Sequence, residues 1–276
     1  MSIRNALYIA ILSLVLIGAA GATQVNITEP YHVNVSNGAS AYLGKVGPGQ
    51  TFFVNISSSA QTSSGKYVNI GWNEFIVKSA PPGWIIENSS LNTRILSVLI
   101  RPAPDTQSGI YKLELQAINI GNYSGLGTLT IYGYVNVTPD VFKLNTSPTV
   151  VRVSPGTPSK IFVTINNTGV SDNPFEINMT GLPAWNATDT VIALHHTSGR
   201  FVYTVYEDIP GVYHTELHVS SLTSPIVNRE VNTTIIVSSS LENDYYAIGE
   251  GAVTFPIIYE PAYDIMYIIG YITKHV

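Results

Sequence analysis

Six histidines and eighteen carboxylates carry most of the ionisable chemistry of this chain, and one spacing concentrates them. His214, Glu216 and His218 alternate within Tyr213-His214-Thr215-Glu216-Leu217-His218-Val219. Residues two apart on a strand project from one face, so imidazole and carboxylate ligands for zinc or copper would stand in a row. That spacing is about 7 Å, too wide for one ion unless a further group moves in. The expectation is therefore a solvated strand face, with no metal and no cofactor. His195-His196 belongs to the same part of the chain.

Nucleophile patterns are thinner. Ser63 and Lys66 satisfy a Ser-x-x-Lys spacing, but they lie in and just beyond the run from Ser57 to Gly65, which reads as a loop and not the helix that chemistry needs. His-Glu-x-x-His, Gly-x-Ser-x-Gly, a phosphate-cradling glycine loop and a cysteine nucleophile are all missing. An enzyme is not expected. A secreted acid hydrolase, with two carboxylates converging in a cleft, is one alternative.

Modification chemistry is far better represented. Asn26, Asn34, Asn55, Asn88, Asn122, Asn136, Asn145, Asn166, Asn178, Asn186 and Asn232 each open an Asn-x-Ser/Thr acceptor sequence for N-linked glycan. They run the length of a chain whose start has the form of an export signal: Arg4, an apolar stretch from Ala6 to Ala19, then Ala20-Gly21-Ala22. The small-residue ending favours cleavage before Thr23, against the other reading of an uncleaved anchor. Removing Arg4 with that segment takes the formal charge from −5 to −6. An acidic mature chain argues against a nucleic-acid partner.

Only 11% of residues are charged while 45% are hydrophobic, and cysteine is absent. The surface must be largely hydroxyl and amide. Small exported domains commonly rely on disulfides, so each module here must bury a sufficient core unaided. Low charge with no disulfides suits an archaeal cell surface, in a hot acidic setting where carboxylate ion pairs fail.

The elements that would position these groups are strands. Tyr111 to Ala117, Ile161 to Asn166, Phe201 to Val205 and Tyr213 to Val219 alternate apolar with polar residues. Gly47-Pro48-Gly49, Pro81-Pro82-Gly83 and Pro155-Gly156 break the runs, the texture of an antiparallel β-sandwich. Four landmarks recur about a hundred residues on. Pro48-Gly49 before Phe52 answers Pro155-Gly156 before Ile161, and Pro81-Pro82-Gly83-Trp84 answers Leu182-Pro183-Ala184-Trp185. Gly109-Ile110-Tyr111 answers Gly211-Val212-Tyr213, and Tyr134 to Val137 answers Thr234 to Val237. Two tandem modules follow: residues 1–22 a signal peptide, 23–140 and 141–240 two sandwiches, and 241–276 a linker with an apolar, Tyr-rich C-terminal segment.

From Tyr42 to Ser238 this order of Pro-Gly, alternating strand, Pro-Trp turn and Pro-Gly-x-Tyr step resembles the Ig-like domains attached to alpha-galactosidases. It is similar as well to the cell-adhesion-related domains of archaeal and bacterial surface proteins. Asn166-Asn167-Thr168-Gly169 matches the Asn-x-Gly turn of that family, while the first copy has Ser57-Ser58-Ser59 and an insertion there. The resemblance implies an all-β fold of two tandem antiparallel Ig-like β-sandwiches, and a spacer or adhesion role without catalysis.

Trp84 and Trp185 admit two uses. Beside proline they could stack sugars, which would make the protein a carbohydrate-binding accessory, but their recurrence in both copies favours packing. Tyr111 and Tyr213 are placed as tyrosine corners. The segment from Ala252 to Val276 is apolar on both faces as a strand and carries a tyrosine stripe as a helix. It therefore needs cover from its own module, a membrane surface or the sheet of a neighbouring subunit. The expected setting is extracellular, in a surface layer or filament. The expected partners are envelope proteins or further copies through strand pairing, with glycans and membrane-surface contact as further candidates.

Overall fold

The computed structural model describes residues 23–61, 67–69, 71–122, 126–183 and 187–238. Residues 1–22, Ser63 and Lys66, Trp185, Asn186 and the stretch 241–276 lie outside them, as does the side chain of Asn122. The chain divides between Thr138 and Pro139 into two units, and in each the period-two alternation of the sequence becomes burial. In Gly109–Ile118, Leu113, Leu115 and Ala117 are fully buried, while Lys112, Glu114 and Gln116 face outward.

The first unit contains β1 (Gln24–Glu29), β2 (Val33–Ser36), β3 (Ser40–Val46), β4 (Phe52–Ser57), β5 (Ala60–Gln61), β6 (Tyr67–Val68), β7 (Glu74–Ser79), β8 (Ile85–Glu87), β9 (Ile95–Arg101), β10 (Gly109–Ile118) and β11 (Thr128–Val137). One sheet runs β6-β5-β1-β4-β9-β8 with β2 on β1, and the other runs β3-β11-β10-β7. The second unit contains β12 (Phe142–Ser147), β13 (Val150–Val153), β14 (Ser159–Asn167), β15 (Asn173–Thr180), β16 (Thr188–Ala193), β17 (Ser198–Val205), β18 (Gly211–Ser221) and β19 (Ser224–Val237). Its sheets run β12-β14-β17 and β13-β19-β18-β15-β16. Pairing is antiparallel except for β3 on β11 and β13 on β19, which are parallel. Each unit is an Ig-like sandwich, and the only helical turn among the described residues is Ile120–Asn122.

The repeat read from sequence is a repeat of topology. β4, β7, β9, β10 and β11 correspond to β14, β15, β17, β18 and β19, and the Pro-Gly turns before β4 and β14 both place glycine at positive φ (Gly49 78°, Gly156 73°). Both tyrosine corners form: the Tyr111 hydroxyl donates to Gln107 O at 2.9 Å, and that of Tyr213 to Ile209 O at 2.8 Å. The copies differ in one connection. β8 returns to β9 in the first unit, whereas β16 pairs with β15 and extends the opposite sheet of the second. The insertion after Ser57 forms the β5-β6 ladder on β1.

Inter-sheet contact is aliphatic and aromatic. Phe142 of β12 meets Phe175 of β15 at 4.6 Å between ring centroids, and Trp72, just ahead of β7, is the largest fully buried side chain of the first unit. In the second copy Asn167 closes the Asn-x-Gly turn from inside. Its amide nitrogen donates to Ser171 O and Ala193 O at 2.9 Å each, and its oxygen accepts from Gly169 N at 3.0 Å.

Two substitutions separate these contributions. Trp72→Ala should cost the protein about 3–5 kcal/mol, the range for truncating a buried aromatic. Tyr203→Phe keeps the buried ring but removes a hydroxyl that donates to Ala187 O at 2.6 Å, for about 1 kcal/mol. Urea unfolding followed by circular dichroism measures both, and equal costs would contradict the packing argument.

Candidate functional site

Glu216 and His218 lie on β18, with β15 on one side and β19 on the other. Thr180 stands opposite Glu216 and Asn178 opposite His218 on β15, while Asn232 and Glu230 stand opposite them on β19. Leu217 and Val219 are fully buried, so this register holds the polar side chains on the outer face of the sheet. Gly181, at φ 95°, ends β15 beside Thr180; a Cβ there would come 2.8 Å from His214 O. That close approach of backbones seats Thr180 against β18.

His218 is the centre of the cluster. Its Nδ1 is 3.0 Å from Glu230 Oε1 and its Nε2 3.6 Å from Glu216 Oε2, with Thr180 Oγ1 also 3.2 Å from Nε2. Glu216, His218 and Glu230 each bring a ligand atom within 4.8 Å of the others. His214, although on the same strand face, is outside this group. The side chains of Glu216 and His218 close the pitch of about 7 Å themselves, meeting at 3.6 Å, and the carboxylate that joins them from the neighbouring strand is Glu230. Sequence reasoning missed it because only the β18–β19 register brings it there, twelve residues from His218.

A second cluster joins two connections of the same unit. Asp172 Oδ1 accepts from His195 N at 2.8 Å and lies 2.6 Å from His195 Nδ1. The rings of His195 and His196 meet edge to face at 5.5 Å. His196 has φ 55°. Burial would raise the Asp172 carboxyl, but hydrogen bonds and charge from His195 outweigh it and hold the pKa below its ordinary value. Burial, then the adjacent His195, lowers the pKa of His196.

Trp84 is half-buried in its turn, its ring tilted on that of Tyr111 at 5.5 Å. Of the eleven acceptor asparagines, nine have described side chains. Asn26, Asn34, Asn88, Asn145, Asn166 and Asn232 are exposed, while Asn55, Asn136 and Asn178 are half-buried. A hollow of about 250 Å³ in the first unit is lined by Thr23, Ser36, Asn37, Leu126, Thr128 and Leu129, without a carboxylate or an imidazole. Among the described residues no helix is long and apolar enough to cross a membrane.

No protein-family model and no curated protein matches the chain. Among solved structures it is similar to a chimeric titin Z1Z2 functionalized with a peptide from decorin, at 13% identity and a TM-score of 0.37, covering 80% of this chain and 100% of that one. The D00-D0 domain of intimin matches at 16% identity and a TM-score of 0.24, with coverages of 78% and 100%. Domains 5–6 of the S-layer protein SbsC match at 12% identity and 0.24, with 74% and 95%. Likenesses this distant specify neither family nor function.

The Asp172–His196 region carries a pH dependence of one sign. The unfolded chain takes up a proton on His196 near pH 6.5 and on Asp172 near pH 3.8, before the folded chain does in each case. Stability is therefore present above those values and is lost as pH falls through the lower folded ones. Melting temperatures recorded from pH 8 to pH 3 should decline, and His196→Asn, which tolerates the positive φ, should flatten the part between about pH 7 and pH 5. An unchanged slope in that variant would refute the assignment.

Proposed function

We propose that the protein is an exported, N-glycosylated component of a cell envelope, with a structural or adhesive role in a surface layer or filament and without catalysis. The observation that carries this reading is the placement of the acceptor asparagines: none of the nine with described side chains is buried, and they occupy outer faces of both sandwiches. A glycan needs an outward, sterically open amide, which the six exposed positions offer, whereas the amide oxygens of Asn55 and Asn178 are buried.

Assembly through strand pairing is supported by β16. It is the terminal strand of its sheet, and Ile192 on it and Leu194 just after it are 64% and 54% exposed. Asp189 is the one charge on this strand, and an exposed edge whose second half is apolar is a template for another strand. The alternatives find less support. Sugar stacking would need an open aromatic face, and Trp84 spends part of its ring on Tyr111. Acid hydrolysis would need two carboxylates converging in a cleft. Glu216 and Glu230 converge instead around His218 on an open sheet face.

Two measurements test the proposal. Glycopeptide mass spectrometry of protein recovered from its native envelope should find glycan on the exposed acceptors, Asn26, Asn34, Asn88, Asn145, Asn166 and Asn232; a bare chain would overturn the glycoprotein reading. Light scattering and negative-stain microscopy should show oligomers or filaments that dissociate when residues 252–276 are removed. Well-folded monomers in both forms would exclude assembly through that segment and leave anchoring or ligand binding.

A further inference from the structure

The outer face around His218 is built as a ligand set with a charge deficit. Glu216 and Glu230 flank the imidazole, and the residues opposite Glu216 and His218 on both neighbouring strands are Thr180, Asn178, Asn232 and Glu230. Neither position has lysine or arginine beside it. Two carboxylates thus face each other across one imidazole with no cationic side chain in register to balance them. On β15, opposite His218, Asn178 Oδ1 is buried and has no hydrogen-bond partner.

The two ring nitrogens play different parts. A carboxylate only 3.0 Å from Nδ1 is met by Nδ1–H donating to Glu230 Oε1, which leaves Nε2 as the acceptor nitrogen of the neutral ring, facing the Thr180 hydroxyl. That nitrogen is 3.6 Å from Glu216 Oε2 and 3.2 Å from Thr180 Oγ1. Ligand atoms about 2.1 Å from a tetrahedral zinc ion lie roughly 3.4 Å from one another, so the 3.6 Å between His218 Nε2 and Glu216 Oε2 is that of two donors around a single small cation. A carboxylate that takes the second N–H of a ligating histidine fixes its tautomer and raises its basicity, and such partners recur in metal sites.

We propose that His218 Nε2 and Glu216 Oε2 bind a divalent transition-metal ion of the zinc class, with Thr180 Oγ1 holding metal-bound water and Glu230 positioning the imidazole through Nδ1. Mixed nitrogen and oxygen donors suit zinc, copper or nickel over calcium. With two protein ligands and the remaining positions filled by water, the site is open to solvent. His214 takes no part.

The test uses the full mature chain, from Thr23 onward, uniformly labelled with ¹⁵N and titrated with Zn²⁺ at pH 7 while long-range ¹H–¹⁵N spectra of the histidines are recorded. The expected result is a zinc-dependent shift of His218 Nε2, with Nδ1 remaining protonated. Calorimetry should show that component abolished in His218→Ala and Glu216→Gln, weakened about 10- to 100-fold in Glu230→Gln, and unchanged in His214→Ala. All four side chains are on the outer face, and circular dichroism checks that each variant folds. If His218 does not respond to zinc, if zinc replaces the Nδ1 proton, or if His214→Ala loses binding as His218→Ala does, the site is refuted. In the first case the cluster is a hydrogen-bonded network of the sheet surface.

Discussion

Contact between two sheets is what everything else in each module depends on. The chain has no cysteine, so no disulfide joins one sheet to its partner, and the inward side chains hold the two together. They are large and dry: Phe142 against Phe175 at 4.6 Å in the second module, and Trp72, Phe52 and Phe75 fully buried in the first. Once those faces are removed from water, the outward residues of every strand are held at a fixed pitch, whatever their own chemistry. The acceptor asparagines, the tyrosine corners and the His218 cluster are consequences of that closure. They are displayed by the core and contribute little to it.

Inward-facing positions repeat with period two, and so they were legible. The alternation in Tyr111 to Ala117 and Tyr213 to Val219 reads directly as β10 and β18, and the recurring Gly-x-Tyr steps mark both corners because a tyrosine that bonds four residues upstream needs the same local sequence each time. Trp72 was not legible as core, since it precedes β7 in a stretch with no alternation of its own. The different fates of β8 and β16 were hidden for a related reason: both follow a proline-containing stretch of sequence, and the sheet each joins is decided by packing and not by its own residues.

The site shows the same division at closer range. His214, Glu216 and His218 share a face by local geometry alone, and that much follows from spacing. Which of them act together is set by register with β15 and β19, and register brings Glu230 and Thr180 to His218 while leaving His214 aside. A periodicity within one strand cannot encode a neighbour on another. Asn167 is the opposite case, because the turn it closes is short enough for its hydrogen bonds to Gly169 and Ser171 to be local.

The parallel pairing of β3 with β11 and of β13 with β19 has a mechanical side. Early and late strands of one module run the same way side by side, joined over six register positions from Tyr132↔Ser40 to Val137↔Val46 in the first and four from Val150↔Thr234 to Val153↔Val237 in the second. Tension that enters through β13 and leaves through β19 would slide these strands lengthwise and load all the rungs of that ladder together. An antiparallel hairpin pulled at its free ends opens one rung at a time. In a module without a disulfide, that shear geometry is the part of the fold suited to carrying load along the chain.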